Sequence, residues 1–176
     1  MKTKIVLALT AVSLLISACH SGRHARMQAS LARLQAMNQA DSLLTDETLA
    51  LSLVTYFDEH GTPNEQLMAH YLLGRTHADR GEAPAALTSY LDAIDRADIT
   101  AHDCDYALLS RVYAQMADVF FMQSLMTDNL GCLEKSIEYA TLAADTMVAL
   151  NSMAYKMAAY DRLGTTLAIV PSGLKL

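Results

Sequence analysis

Residues 62–98 read TPNEQLMAHYLLGRTHADRGEAPAALTSYLDAIDRAD. Thr62 and Glu65 are spaced as a capping box, and Pro63 occupies the first helical position, so a helix starts here. It runs through Tyr71, Leu72, Leu73 and Gly74 to about Arg80. Gly81 ends it by supplying the positive φ that a helix terminus takes. Pro84 opens another helix, in which Leu87, Tyr90, Leu91, Ile94 and Ala97 recur at helical spacing.

The pattern extends in both directions. Met27, Leu31, Leu34 and Met37 mark one earlier helix. Leu49, Leu51, Leu53, Val54 and Phe57 mark a second, after a break at Leu44-Thr45-Asp46 and before a stop at Gly61. Downstream, a polar connection from Asp98 to Asp103 leads to a long helix bearing Tyr106, Leu109, Val112, Tyr113, Met116, Val119 and Phe120. A second connection at Leu125-Met126-Thr127-Asp128 precedes a helix with Leu133, Ile137, Ala140 and Ala143. Asp145-Thr146 is the next break, and a last helix extends through Tyr160 and Leu163 towards Pro171. With 52% apolar residues but only 7 glycines and 3 prolines, and no alternating strand pattern, the chain is expected to be all-α.

Leu73-Gly74, His77, Gly81, Ala86, Tyr90 and Ala93 follow the spacing of the tetratricopeptide repeat (TPR), which this stretch resembles. The resemblance implies antiparallel helix pairs stacked as a short right-handed solenoid over residues 27–170, with an irregular tail at 171–176. Gly74 and Ala86 are small where paired helices approach, while Tyr90 and Ala93 are expected to fill the interface with the next unit. His77 stands where the repeat usually has an aromatic residue. Met116-Ala117, Phe120, Ser136, Ala140 and Ala143 resemble a second, degenerate unit, and Leu163-Gly164 a third. The spacings from Gly74 to Ala117 and on to Gly164 are 43 and 47 residues, longer than the roughly 34 of the standard repeat. His60 to Glu65, Ala69 to Arg75 and Asp103 to Tyr106 are also similar to the TPR lipoproteins common in Bacteroidetes, whose members usually continue for several more helices. The present chain is therefore expected to be truncated, or open at its C-terminal end.

At the N-terminus, Lys2 and Lys4 precede an apolar run from Ile5 to Ile16, followed by Ser17-Ala18-Cys19. The run has the length of a secretory signal peptide rather than of a spanning helix. Small residues directly before a cysteine resemble a bacterial lipobox. That resemblance implies removal of residues 1–18, acylation of Cys19 and a polar tether over residues 19–26. Each buried methylene adds about 0.8 kcal/mol, so two or three acyl chains hold a protein on a membrane almost permanently. His20 follows the acylated residue, and the acidic cluster of a surface-export signal is missing. The expected location is the bacterial cell envelope, at the outer membrane facing the periplasm.

The full chain carries 13 basic and 19 acidic residues, and cleavage would remove only the two basic residues Lys2 and Lys4. So acidic a chain lacks the basic face that nucleic acid demands. Cys104 and Cys132 sit near the starts of successive antiparallel helices, which puts them roughly 20 Å apart, too far for a disulfide. His70 and His77 share a helical face but are about 10.5 Å apart along it, too distant for one zinc. His102-Asp103-Cys104-Asp105 reads as a solvated loop and helix start. Asp92, Asp95 and Asp98 read as a solvated face, with Asp92 and Arg96 at ion-pair spacing. No phosphate-binding glycine loop, zinc-protease motif or nucleophile elbow occurs, so neither enzyme activity nor a cofactor or metal is expected.

The remaining candidate surface comes from the resemblance. The concave side of a TPR domain is lined by the first helix of each unit, which here implies Tyr71 and Arg75, then Arg111, Ala114, Asp118 and Phe121. An aromatic and arginine mixture suits a peptide groove. The expectation is a membrane-anchored, non-catalytic adaptor that binds a protein or peptide partner. The alternatives are the sensory fragment of a longer envelope signalling protein, or an accessory component of an outer-membrane assembly machine.

Overall fold

A computed structural model describes residues 22–162, which form seven helices and no strand. They are α1 (22–39), α2 (Glu47–His60), α3 (Pro63–Asp79), α4 (Ala83–Arg96), α5 (Tyr106–Met122), α6 (Met126–Leu142) and α7 (Thr146–Arg162). Cys19, the Leu163-Gly164 pair and the 171–176 tail lie outside the described residues.

The capping box predicted at Thr62 forms as expected. Glu65 N–H donates to the Thr62 hydroxyl at 3.3 Å, and Thr62 N–H donates to the Glu65 carboxylate at 2.8 Å. Two boundaries differ from the sequence reading. Residues 22–26, expected as tether, belong to α1, because His24 packs on α2: its Nδ1 lies 3.0 Å from Tyr56 Oη and its ring meets the edge of Phe57. Met126-Thr127-Asp128, expected as connection, form the first turn of α6.

The second difference has a cause in turn chemistry. Four of the turns place one residue at positive φ: Asp41 at 51°, Gly81 at 77°, Ser124 at 61° and Ala144 at 56°. In each, the next N–H reaches back five residues to a helix carbonyl, at 3.0 Å from Ser42 to Met37 and 2.9 Å from Glu82 to His77, Leu125 to Phe120 and Asp145 to Ala140. This Schellman closure satisfies carbonyls that a helix end otherwise leaves open. Only Gly81 announces it by residue type.

Each helix packs on its successor from α2 to α7, and beyond these neighbours α3 touches α5 and α5 touches α7, whereas α4 and α6 do not touch. Asn64, in the first turn of α3, holds α5 alongside. Its Nδ2 donates to the Asp103 carbonyl at 2.7 Å, and its Oδ1 accepts from Asp105 N–H at 3.0 Å. Asp105 in turn caps α5 by accepting from Leu108 N–H at 2.9 Å.

The core of the α3–α4 pair is built on Gly74. A Cβ there would lie 2.4 Å from the Tyr90 ring, so the ring occupies the space that glycine leaves. Tyr90 is 0% exposed. Its ring therefore fills the gap within its own helix pair, and it lies close enough to α5 to feel the Asp118 charge. Ala86 and Ala93 are fully buried, Leu73 is buried, and His77 is buried with Nδ1 2.8 Å from the Glu82 carboxylate.

Helices α5 and α6 begin 43 residues after α3 and α4, which aligns Gly74 with Ala117, Tyr90 with Leu133 and Ala86 with Asn129. A larger residue on one helix is thus met by a smaller one on its partner. Asn129 Nδ2 donates to the Ala117 carbonyl at 2.7 Å. Ser110, Ser136 and Ser152 are buried at successive helix contacts, with Ser110 donating to the Ser136 carbonyl at 2.9 Å and the Ser136 and Ser152 hydroxyls 2.8 Å apart.

Helix α7 begins 40 residues after α5, an offset that aligns Met157 with Ala117. It buries Ser152 and Ala159, while Met147, Leu150, Met153 and Met157 remain exposed. Arg96 pairs with Asp58 of α2 at 3.0 Å instead of with Asp92. Cys104 and Cys132 are free thiols.

Candidate functional site

Two adjoining cavities open along α5. The larger, about 510 Å³, is walled by Tyr71 of α3, by Arg111, Ala114, Gln115 and Asp118 of α5, and by Asn151 and Tyr155 of α7, with Leu133 and Val148 also lining it. The smaller, about 340 Å³, lies between α3, α5 and the α3–α4 turn, and includes Arg75, Asp79, Gln115 and Asp118. Gln115 and Asp118 border both. The larger volume lies within the range of small-ligand pockets.

Four of the six positions expected to line a concave surface, Tyr71, Arg111, Ala114 and Asp118, meet in the larger cavity. Arg75 borders the smaller one. Phe121 borders neither: the Arg162 guanidinium stacks 4.1 Å from its ring centroid and covers it.

The walls are held by a polar lattice. Tyr71 is buried and its hydroxyl accepts from Asn38 Nδ2 at 3.2 Å, which ties α1 to the cavity wall. Desolvation raises the Tyr71 phenol, so it remains neutral. Arg75 donates to the Gln115 carbonyl oxygen and to the Asp79 carboxylate, 3.1 Å away. Asp79 is nearly buried, and its second oxygen accepts from Leu44 N–H at 2.8 Å, so one carboxylate fixes both Arg75 and the α1–α2 loop. Arg111 lies 3.8 Å from Asp145, which caps α7 by accepting from Val148 N–H at 3.1 Å.

Asp118 is different. It has no hydrogen bond or ion pair within the described residues. Although water reaches it, the flanking helices partly desolvate its carboxyl and raise its pKa, with the Arg75 charge acting in the opposite direction. Two buried groups near this wall, Tyr90 Oη and Arg75 Nε, also lack partners.

Sequence reasoning missed Asp41, Gln115, Asn151 and Tyr155. The Asp105 and Asp145 helix caps, 40 residues apart, carried a signal for the last two, since that offset maps Arg111 to Asn151 and Gln115 to Tyr155. The histidines go to structural partners: His70 Nε2 lies 3.0 Å from Asp58, and His77 is on Glu82. No cluster of three or more His, Cys, Asp or Glu able to hold a metal ion occurs among the described residues. No helix among them is long and apolar enough to cross a membrane. Comparison with protein-family models, curated proteins and solved structures finds no significant match.

Proposed function

We propose that this chain is a lipid-anchored TPR-like adaptor whose groove binds a protein or peptide partner in the bacterial cell envelope, without catalysis. The carrying observation is the convergence of Tyr71, Arg111, Ala114 and Asp118 with Asn151 and Tyr155 on one cleft. Contacts among the alternate helices α3, α5 and α7, with none between α4 and α6, support a stack of helix pairs curved around that cleft. The 43-residue correspondence of the two complete pairs supports a repeat. Aromatic rings for apolar side chains, with amides and an arginine for backbone groups, are what a peptide groove requires.

The Ile16-Ser17-Ala18-Cys19 sequence supports anchoring through Cys19. We place the acylated protein at the outer membrane, facing the periplasm. Two measurements test this reading. Metabolic acyl labelling and membrane fractionation should lose both signals in Cys19→Ala. Affinity purification from detergent-solubilised membranes should recover a partner with the wild type and lose it with the double variant Arg111→Ala, Tyr155→Ala. A Cys19→Ala protein that stays on the membrane contradicts the anchor, and a partner retained by the double variant contradicts the groove.

A second reading, in which the chain is the sensory part of a longer envelope signalling protein, is favoured by α7. Among the described residues nothing covers Met147, Leu150, Met153 and Met157. The genomic sequence immediately downstream decides it: further helix pairs favour this reading, and an unrelated neighbour excludes it.

A further inference from the structure

We infer that the groove takes a basic polypeptide segment, with a lysine or arginine side chain of the partner seated against Asp118. This rests on the groove reading above and specifies its ligand. The charges lining the two cavities are Asp41, Arg111 and Asp118 in the larger, and Arg75, Asp79 and Asp118 in the smaller. Arg75 is committed to Asp79 and Gln115, and Arg111 faces Asp145. Both arginines thus have carboxylate partners elsewhere, and neither forms an ion pair with Asp41 or Asp118, although the Arg75 charge is felt at Asp118.

Position makes Asp118 the more informative of the two. It borders both cavities, so a side chain lying along the larger one and a neighbouring residue in the smaller one would each pass it. Asp118 is exposed at this rim, so an incoming cation can reach its carboxylate directly, without displacing a partner already bound there. The rest of the lining favours a polypeptide over a small polyamine. Leu133, Val148 and Ala114 give an apolar floor, the Gln115 and Asn151 amides can pair with peptide groups, and Tyr155 presents a mostly exposed ring to a cation or an aliphatic stem. The net charge of −6 on the full chain acts in the same direction by steering cationic segments towards the protein.

A random octapeptide library selected on the purified full chain tests the inference. The expected bound pool is enriched in lysine or arginine, with individual winners binding about tenfold more weakly to Asp118→Asn. Asp118→Glu should restore most of the binding, and Asp118→Asn should melt no lower than the wild type, so that lost binding cannot be lost folding. Spermine should compete only weakly. A pool with no basic enrichment, or an acidic one, overturns the inference while leaving the groove reading intact. Basic enrichment that persists in Asp118→Asn overturns the placement at Asp118, and spermine competing as well as the winning peptides overturns the polypeptide assignment. An empty pool overturns the inference and the groove reading together.

Discussion

Gly74→Ala and Gly131→Ala are the same chemical change on two helices, and the structure predicts opposite signs. In an unobstructed helix interior, replacing glycine by alanine gains about 0.8–1 kcal/mol, because the unfolded chain loses freedom and the helix does not. Gly131, exposed on α6, has nothing within 4 Å of its added Cβ and should realise this gain. At Gly74 the added carbon would meet Cδ1 and Cε1 of Tyr90 at 2.4 Å, about 1 Å inside ordinary contact. Tyr90 is fully buried, with the Tyr71 ring 6.2 Å away, so its ring can retreat only by moving α4. Overpacking of this kind costs about 1–3 kcal/mol. Less the helix gain, Gly74→Ala should be destabilised by up to about 2 kcal/mol, and the two variants should differ by the overpacking cost itself, about 1–3 kcal/mol. Urea unfolding followed by circular dichroism measures both midpoints. Adding Tyr90→Leu should abolish most of the Gly74→Ala penalty relative to Tyr90→Leu alone, since it removes the ring atoms that the new Cβ would meet. Equal midpoints for the two alanine variants, or a penalty that survives removal of the ring, would refute the reasoning.

Ala144→Gly should stabilise the chain by up to about 1 kcal/mol in the same urea assay, because an L-residue at positive φ carries a strain that glycine lacks. Asp79→Ala should cost about 1.5–3 kcal/mol, since it removes the acceptor for Leu44 N–H and the partner of Arg75 at once. Hydrogen exchange in that variant should rise first in the 40–46 loop. The pH dependence of Asp118→Asn has a definite sign. The folded chain holds this carboxyl above its ordinary value, so ionised Asp118 opposes folding at pH above the folded pKa, and protonation on acidification removes the penalty. The variant should therefore have a higher urea midpoint than the wild type at about pH 7, with the difference shrinking towards about pH 4.

Most of the helical framework was legible because its signals are local. Thr62, Pro63 and Glu65 specify a helix start through bonds within one turn, and Gly81 specifies a stop through its own φ. Ser124 and Ala144 adopt the same left-handed turn without glycine, imposed by the closure between adjacent helices, and for that reason the start of α6 was misplaced. The α1 boundary was missed because the side chain that anchors it, His24, finds its aromatic partners on another helix. Of the positions implied by the resemblance, Tyr71, Arg111, Ala114 and Asp118 come together in one cavity. For α7 the resemblance supplied no groove positions, because the third Leu-Gly pair, Leu163-Gly164, lies 47 residues on while α7 itself begins 40 residues after α5, and Asn151 and Tyr155 were missed. Phe121 was placed on the right helix, but only the fold could show that Arg162 covers it.

If α3, α5 and α7 form the face that meets a partner, site-specific photocrosslinking in cells will capture that partner from this face. A photoreactive residue would replace Arg111 or Tyr155 in the groove and, as a control, the exposed Leu91 of α4. Positions 111 and 155 should give one shared adduct, absent at 91 and reduced by Asp118→Asn. Adducts from position 91 alone, or equal labelling from both faces, would contradict that reading.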